Sequence, residues 1–167
     1  SIFTGLYPSE HGMTHWKYRL GKVTTAAEFF HAEGWRTAAF TPMETLLKLG
    51  LGAGFDVTKS PPYTQIGDQV ILAGGDAVNA AALPWLTASS DQPFFAWVHY
   101  YDAHRCYGRQ GPEWSGRYAQ RDDPAVGATE RWYQLTPEKR AALGLTPAQT
   151  QLMKDKYDGG LAFLDDR

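Results

Sequence analysis

His99, Asp102, His104 and Arg105 stand within seven residues of one another, in the pattern His-x-x-Asp-x-His-Arg. Imidazolium and guanidinium groups both donate hydrogen bonds to charged oxygens, and a nearby carboxylate can hold a ring in one tautomer. That chemistry suits an oxyanion, with His104 and Arg105 as its nearest contacts. Three other readings stay open from the residues alone. His99 could be a core histidine satisfied by backbone. Asp102 could brace its turn through Asx hydrogen bonding. Two His with one Asp could hold zinc, although adjacent loop spacing is a weak metal signal. Cys106 follows the cluster, and with no activating base beside it in sequence it reads as a small hydrophobe rather than a nucleophile. His11, in Tyr7-Pro-Ser-Glu-His-Gly12, reads as a ring anchoring a loop to nearby backbone, while His15 and His31 read as surface or helix-face positions.

A strand must carry this cluster. Phe94–Tyr100 (FFAWVHY) is aromatic, β-branched and apolar on both faces, so it belongs in a sheet covered by helices on either side. His99 closes the run, and ligands of open α/β sheets collect outside the carboxyl ends of strands. A second strand is predicted over Trp35–Phe40. Before it, Thr24 or Thr25 caps a helix over Ala26–Glu33, with Ala26, Phe29 and Phe30 on one face and Gly34 as the stop. Pro42 can open a short helix through Leu49, and Gly50, Gly52 and Gly54 then break the chain. Ser60–Asp68 reads as a Pro-bearing connector, and Asp76 caps a helix to Leu86 with a bend at Pro84.

Beyond the cluster, 106–134 lacks a clear period and reads as a long loop or insertion. Thr136-Pro137-Glu138 caps a short helix ending near Gly144. Thr146-Pro147 opens another, in which Met153, Tyr157, Leu161 and Leu164 recur at helical spacing as a core-facing stripe. Helix and strand alternate, which is the grammar of an α/β fold with helices on both faces of a mostly parallel sheet.

Composition narrows the function classes. Hydrophobic residues make up 43% and charged residues 20% of the 167, which argues against wholesale disorder. Net charge is −2 and no Lys/Arg run is dense enough to track a phosphate backbone, so nucleic acid is not an expected partner. No apolar run approaches the length of a membrane span. A lone cysteine forbids an intrachain disulfide.

Five stretches, taken in order, resemble one family. Ile2-Phe-Thr-Gly-Leu-Tyr-Pro-Ser-Glu-His-Gly12 is similar to the segment just after the nucleophile in sulfatases of the alkaline-phosphatase-like superfamily. Thr25–Phe40 (TAAEFFHAEGWRTAAF) is similar to their Leu-Ala-Glu…Ala-Gly-Tyr-x-Thr-Ala helix and strand, and Gly54-Phe55-Asp56 to a common Gly-Phe-Asp after it. Pro93–Tyr107 (PFFAWVHYYDAHRCY) resembles the Pro-Phe-Phe…His-x-x-Asp-Pro-His-x-Pro-Tyr block, with Ala103 and Cys106 in place of prolines. Tyr157–Asp166 (YDGGLAFLDD) resembles the helix that precedes the family's downstream metal ligands.

The resemblance implies a partial sulfatase catalytic domain over residues 1–167. It implies hydrolysis of sulfate esters on a sulfated small molecule or carbohydrate. The nucleophile would be a formylglycine upstream of Ser1, acting beside a calcium ion whose ligands lie outside this chain. By the same resemblance His104 is the histidine that meets the sulfate group or its leaving oxygen, with His99, Asp102 and Arg105 on the substrate side. One departure stands out: Thr41-Pro-Met-Glu44 occupies the place of the family's Gly-Lys-x-His, removing two cations. Two other functions therefore stay open, phosphoryl or phosphonate ester chemistry on the same scaffold and a non-catalytic binding protein. Residues 1–167 alone are expected to show no sulfatase turnover and only weak calcium affinity.

Overall fold

A computed structural model describes residues 1–167 except 16, 67–68, 89, 105–111, 120–122, 124–125, 127–135 and 143. The chain divides into two compact units, Ser1–Tyr100 and Tyr101–Arg167. In the first, α1 (Pro8–His11) and α2 (Ala26–Ala32) precede β1 (Arg36–Phe40). α3 (Glu44–Leu46) runs into a wider π-helical turn at Leu47–Leu51, followed by β2 (Val57–Lys59), β3 (Thr64–Ile66), β4 (Gln69–Ile71), α4 (Gly75–Leu86) and β5 (Phe94–Val98). The second unit contains α5 (Pro112–Ser115), α6 (Pro137–Ala142) and α7 (Pro147–Asp165).

β1 is central in a three-stranded parallel sheet of order β2-β1-β5. Its register with β5 sets Thr37 beside Phe95, Ala38 beside Ala96, Ala39 beside Trp97 and Phe40 beside Val98. Because strand side chains alternate, these pairs sort onto two faces. Ala38 and Phe40 pack with Val78 and Ala82 of α4, joined by Val98 and Trp85. On the opposite face Phe95 stacks on Phe30 of α2 at 4.8 Å and on Phe55 at 5.8 Å. Helices therefore cover both faces of an all-parallel sheet, and the α/β expectation holds.

Local chemistry sets the boundaries. Thr25 and Glu28 form a reciprocal capping box at α2, with Glu28 N–H donating to Thr25 Oγ1 at 3.1 Å and Thr25 N–H to Glu28 Oε2 at 2.8 Å. Thr25 is buried, and its hydroxyl also donates to the Ala53 carbonyl at 3.0 Å. Thr146 and Gln149 repeat the box at α7, with Pro147 in the first turn.

Several details differ from expectation. In α2 the buried residue is Ala27, while Phe29 is 57% exposed, so the core face is rotated from the Ala26–Phe29–Phe30 reading. Helix starts at Glu44 rather than Pro42. Gly74, not Asp76, occupies the cap of α4, and Asp76 lies in its first turn, where a carboxylate complements the helix dipole. The Ser60–Asp68 connector contains β3, which pairs antiparallel with β4. β5 ends at Val98 and is only half-buried, with Phe94 47% exposed, because among the described strands it has β1 on one side alone.

In the second unit α7 buries Leu152, Gly159, Gly160 and Phe163, while Tyr157 and Leu161 are exposed. The core stripe is thus offset from the expected one. It centres on two glycines, and Phe163 meets Trp114 of α5 edge-on at 5.8 Å. Of 106–134, the described part includes α5, Ala119 and Val126; the last two share a small core with Leu152. No described helix is long and apolar enough to cross a membrane.

Candidate active site

The site in the first unit grows from the parallel register. Phe40 lies beside Val98, so the residues that follow each strand, Thr41 and His99, come side by side at the carboxyl edge. His99 N–H donates to the Phe40 carbonyl at 2.8 Å, and Thr41 N–H donates to the Lys59 carbonyl at 3.1 Å, extending both strand pairings by one bond. Thr41 Oγ1 then meets His99 Nδ1 at 2.8 Å and accepts the Met43 N–H at 3.1 Å. This arrangement suits a Thr41 hydroxyl donating to Nδ1, which places the ring proton on Nε2. Thr41 is fully buried and His99 half-buried, with its ring stacked on Trp97 at 5.5 Å. His99 is thus not a core histidine satisfied by backbone: it is half-buried, its Nδ1 is met by the Thr41 hydroxyl, and its backbone bond is the strand pairing of its main-chain N–H.

Burial holds the His99 imidazole below its ordinary range, so it is neutral at pH 7. The unfolded chain takes up this proton as pH falls through about 6.5, whereas the folded chain resists until lower pH. Stability is accordingly expected to fall on acidification through that window. His99→Gln should flatten the dependence in urea unfolding as pH falls below about 6.5. A wild-type profile that the variant reproduces point for point would remove the assignment.

The opening turn lies on the same sheet face. Gly5 N–H donates to the Ser1 carbonyl at 2.8 Å, closing a turn, and Ala26 N–H donates to the Phe3 carbonyl at 2.6 Å. The Phe3 ring packs edge-on against Trp97 at 4.8 Å. His11 is 4% exposed and fastens this loop from within. Its Nδ1 accepts the Met13 N–H at 3.2 Å, its carbonyl accepts the Gly21 N–H at 2.8 Å, and its Nε2 lies 3.3 Å from the Ser1 nitrogen. The loop-anchor reading of His11 is thus what the structure shows.

A second polar cluster braces β1. The Asp56 carboxylate accepts the Thr37 N–H at 3.0 Å, the Thr37 hydroxyl shares its single proton between Asp56 Oδ2 at 2.9 Å and the Gly54 carbonyl at 2.8 Å, and His31 Nδ1 lies 2.8 Å from the other carboxylate oxygen. Partial desolvation works against ionisation here, but the Thr37 bonds and His31 outweigh it and hold the carboxyl below its usual range. His31 therefore has a specific acidic partner, which its position in sequence did not indicate.

Asp102 and His104 belong to the second unit. Asp102 is half-buried in a turn that also holds His104, whose N–H donates to the Tyr101 carbonyl at 3.0 Å. The His104 side chain is exposed, with its ring stacked on Tyr101 at 4.3 Å and 15°. Arg105 and Cys106 lie outside the described residues. Sequence reasoning missed Thr41 as a partner of His99. The signal available was that each is the residue immediately after a strand, but their adjacency depends on register.

Among the described residues, no group of three or more His, Cys, Asp or Glu side chains is gathered to hold a metal ion. These residues do not by themselves fit a calcium or zinc cage. In comparisons with known proteins, no curated protein matches the sequence. The family model described as Sulfatase matches residues 1–167, the whole chain.

Proposed function

We propose, from the premise that this chain belongs to the sulfatase family, that the intact protein hydrolyses sulfate esters and that this stretch supplies the substrate side of the pocket. The family match over the full 167 residues carries the reading, and it makes the intact protein a hydrolase of the sulfatase and alkaline-phosphatase-like kind. The finer assignments rest on the motifs: a formylglycine nucleophile preceding Ser1, and a calcium ion held by residues elsewhere in the protein. Both belong to the proposal, as does a single catalytic domain that includes 1–167.

In the net reaction one water is consumed: the S–O bond to the alcohol breaks, the alcohol oxygen gains a proton, and sulfate leaves carrying an oxygen from the nucleophile that water then replaces. His104 is the group proposed to deliver that proton or to hydrogen-bond the leaving oxygen. Its imidazole is exposed and steadied by stacking on Tyr101, so it is accessible to substrate. His99 is proposed as a neutral donor rather than a cation, because burial disfavours its charge. Asp102 and Arg105 are proposed as further substrate-side residues on the strength of the motif, with Arg105 as the oxyanion partner.

Parallel assays of the full-length protein on 4-nitrophenyl sulfate and 4-nitrophenyl phosphate test the reading. The expected kcat/KM favours the sulfate by at least about tenfold, a difference of about 1.4 kcal/mol in transition-state binding. A preference for the phosphate moves the protein to the phosphoryl branch. Turnover of neither supports the non-catalytic reading.

A further inference from the structure

Thr41 sits where it can decide what the His99 ring does. Its main-chain N–H is tied to the Lys59 carbonyl at 3.1 Å, its side chain is wholly buried, and a β-branched side chain has few rotamers to choose from. From that fixed position its oxygen accepts the Met43 N–H at 3.1 Å and lies 2.8 Å from His99 Nδ1. Stacking on Trp97 at 5.5 Å and 20° sets the plane of the imidazole, and the contact with Thr41 selects its rotation within that plane. Three groups thus stand in a row: the Met43 N–H, the Thr41 hydroxyl and the His99 ring.

Counting protons gives the row a direction. The Thr41 hydroxyl has one proton to place, and among the described residues its acceptor is His99 Nδ1. If Nδ1 carried a proton, that proton would point at the Thr41 oxygen, and the hydroxyl proton would be stranded where water does not reach. The Met43 N–H cannot relieve this, because it is itself a donor. A stranded buried donor disfavours the Nδ1–H form by about five- to 150-fold. We propose that Thr41 is the positioning residue for His99: it keeps the ring proton on Nε2, so that His99 meets the ester oxygens as a hydrogen-bond donor of fixed direction and moves no proton through Nδ1. The part concerning the ester rests on the ester-hydrolase reading, whereas the tautomer does not.

Long-range proton–nitrogen NMR spectra of the full-length protein, labelled at histidine and assigned with His99→Gln, report which ring nitrogen is protonated. Above about pH 7.5, where an ordinary imidazole is neutral, the wild type is expected to show His99 as a single Nε2–H form. Thr41→Val keeps the shape and removes the hydroxyl. It should release the ring into a mixture of tautomers and lower kcat/KM on 4-nitrophenyl sulfate by about tenfold. Thr41→Ser restores the hydroxyl and should return the wild-type spectrum and most of the rate. A wild-type ring protonated on Nδ1 overturns the proposal, and that spectrum decides it even if Thr41→Val fails to fold. A single Nε2–H form that persists in Thr41→Val, or a tautomer shift with no loss of rate, overturns it as well. An Nδ1–H ring in a protein that hydrolyses the sulfate leaves the ester-hydrolase reading intact. An Nε2–H ring that Thr41→Val releases, in a protein that frees sulfate from no ester, sustains the tautomer assignment and removes the hydrolase reading.

Discussion

Replacing His104 with Ala in the full-length protein is expected to lower kcat/KM on an aryl sulfate by about 10²–10⁴, the range for removing a positioned general acid. The loss should fall mainly on kcat, because proton delivery to the leaving oxygen matters in the transition state and little in the ground state. His104 is exposed, so the substitution leaves a core untouched and folding should survive. Tyr101→Ala is a graded companion. It removes the ring stacked at 4.3 Å and loosens the imidazole without deleting it, so a smaller loss of about tenfold is expected. An ester with a better leaving group needs less protonation and should lose less in His104→Ala. Full turnover in that variant, or an equal loss on both esters, would end the assignment.

Gly54→Ala is expected to cost the first unit at least about 4 kcal/mol, a large share of the 5–15 kcal/mol that holds a typical domain together. Two effects add. Gly54 has φ +85°, where a side chain is strained by about 1–3 kcal/mol. A Cβ there would also collide with the backbone of Ala27 and Glu28 in α2, which cannot swing aside as a flexible side chain would. The segment cannot back away either, since the Ala53 carbonyl accepts the Thr25 hydroxyl at 3.0 Å and the Gly54 carbonyl accepts the Thr37 hydroxyl at 2.8 Å. Gly34 is the control, with φ +81° but open space around the added atom. Gly34→Ala should show the conformational cost alone, about 1–3 kcal/mol. Urea unfolding of both variants measures the difference, and equal losses would mean that the collision is relieved at no cost.

These two predictions draw differently on the sequence. The Gly-Phe-Asp motif around Gly54 was visible as a family resemblance, but its physical reason was not. The close approach to α2 joins residues more than twenty positions apart. β5 was legible as a run of aromatic and β-branched residues, β1 as a short run ending in apolar residues just after a helix and its Gly34 stop, and α4 because its Ala-rich run is long. The β3–β4 pair was hidden by Pro61 and Pro62, which announce a connector and say nothing of the short strand just after them. The stripe of α7 was misjudged because Gly159 and Gly160 have no hydrophobic side chain to count, yet both are buried. In the candidate site, His99 was legible from its place at the end of a strand. Thr41 was not, because its contact with His99 spans 58 positions and exists only once β1 and β5 have paired in this register.

Trp97 touches Phe3 on one side, stacks toward His99 on another, and lies near Phe55 at 6.4 Å. One rigid indole thus serves as a shared bearing for the opening turn, the loop leading into β2 and the imidazole at the strand end. The gap between the opening turn and the ring of His99 is therefore filled by one aromatic side chain rather than by flexible ones.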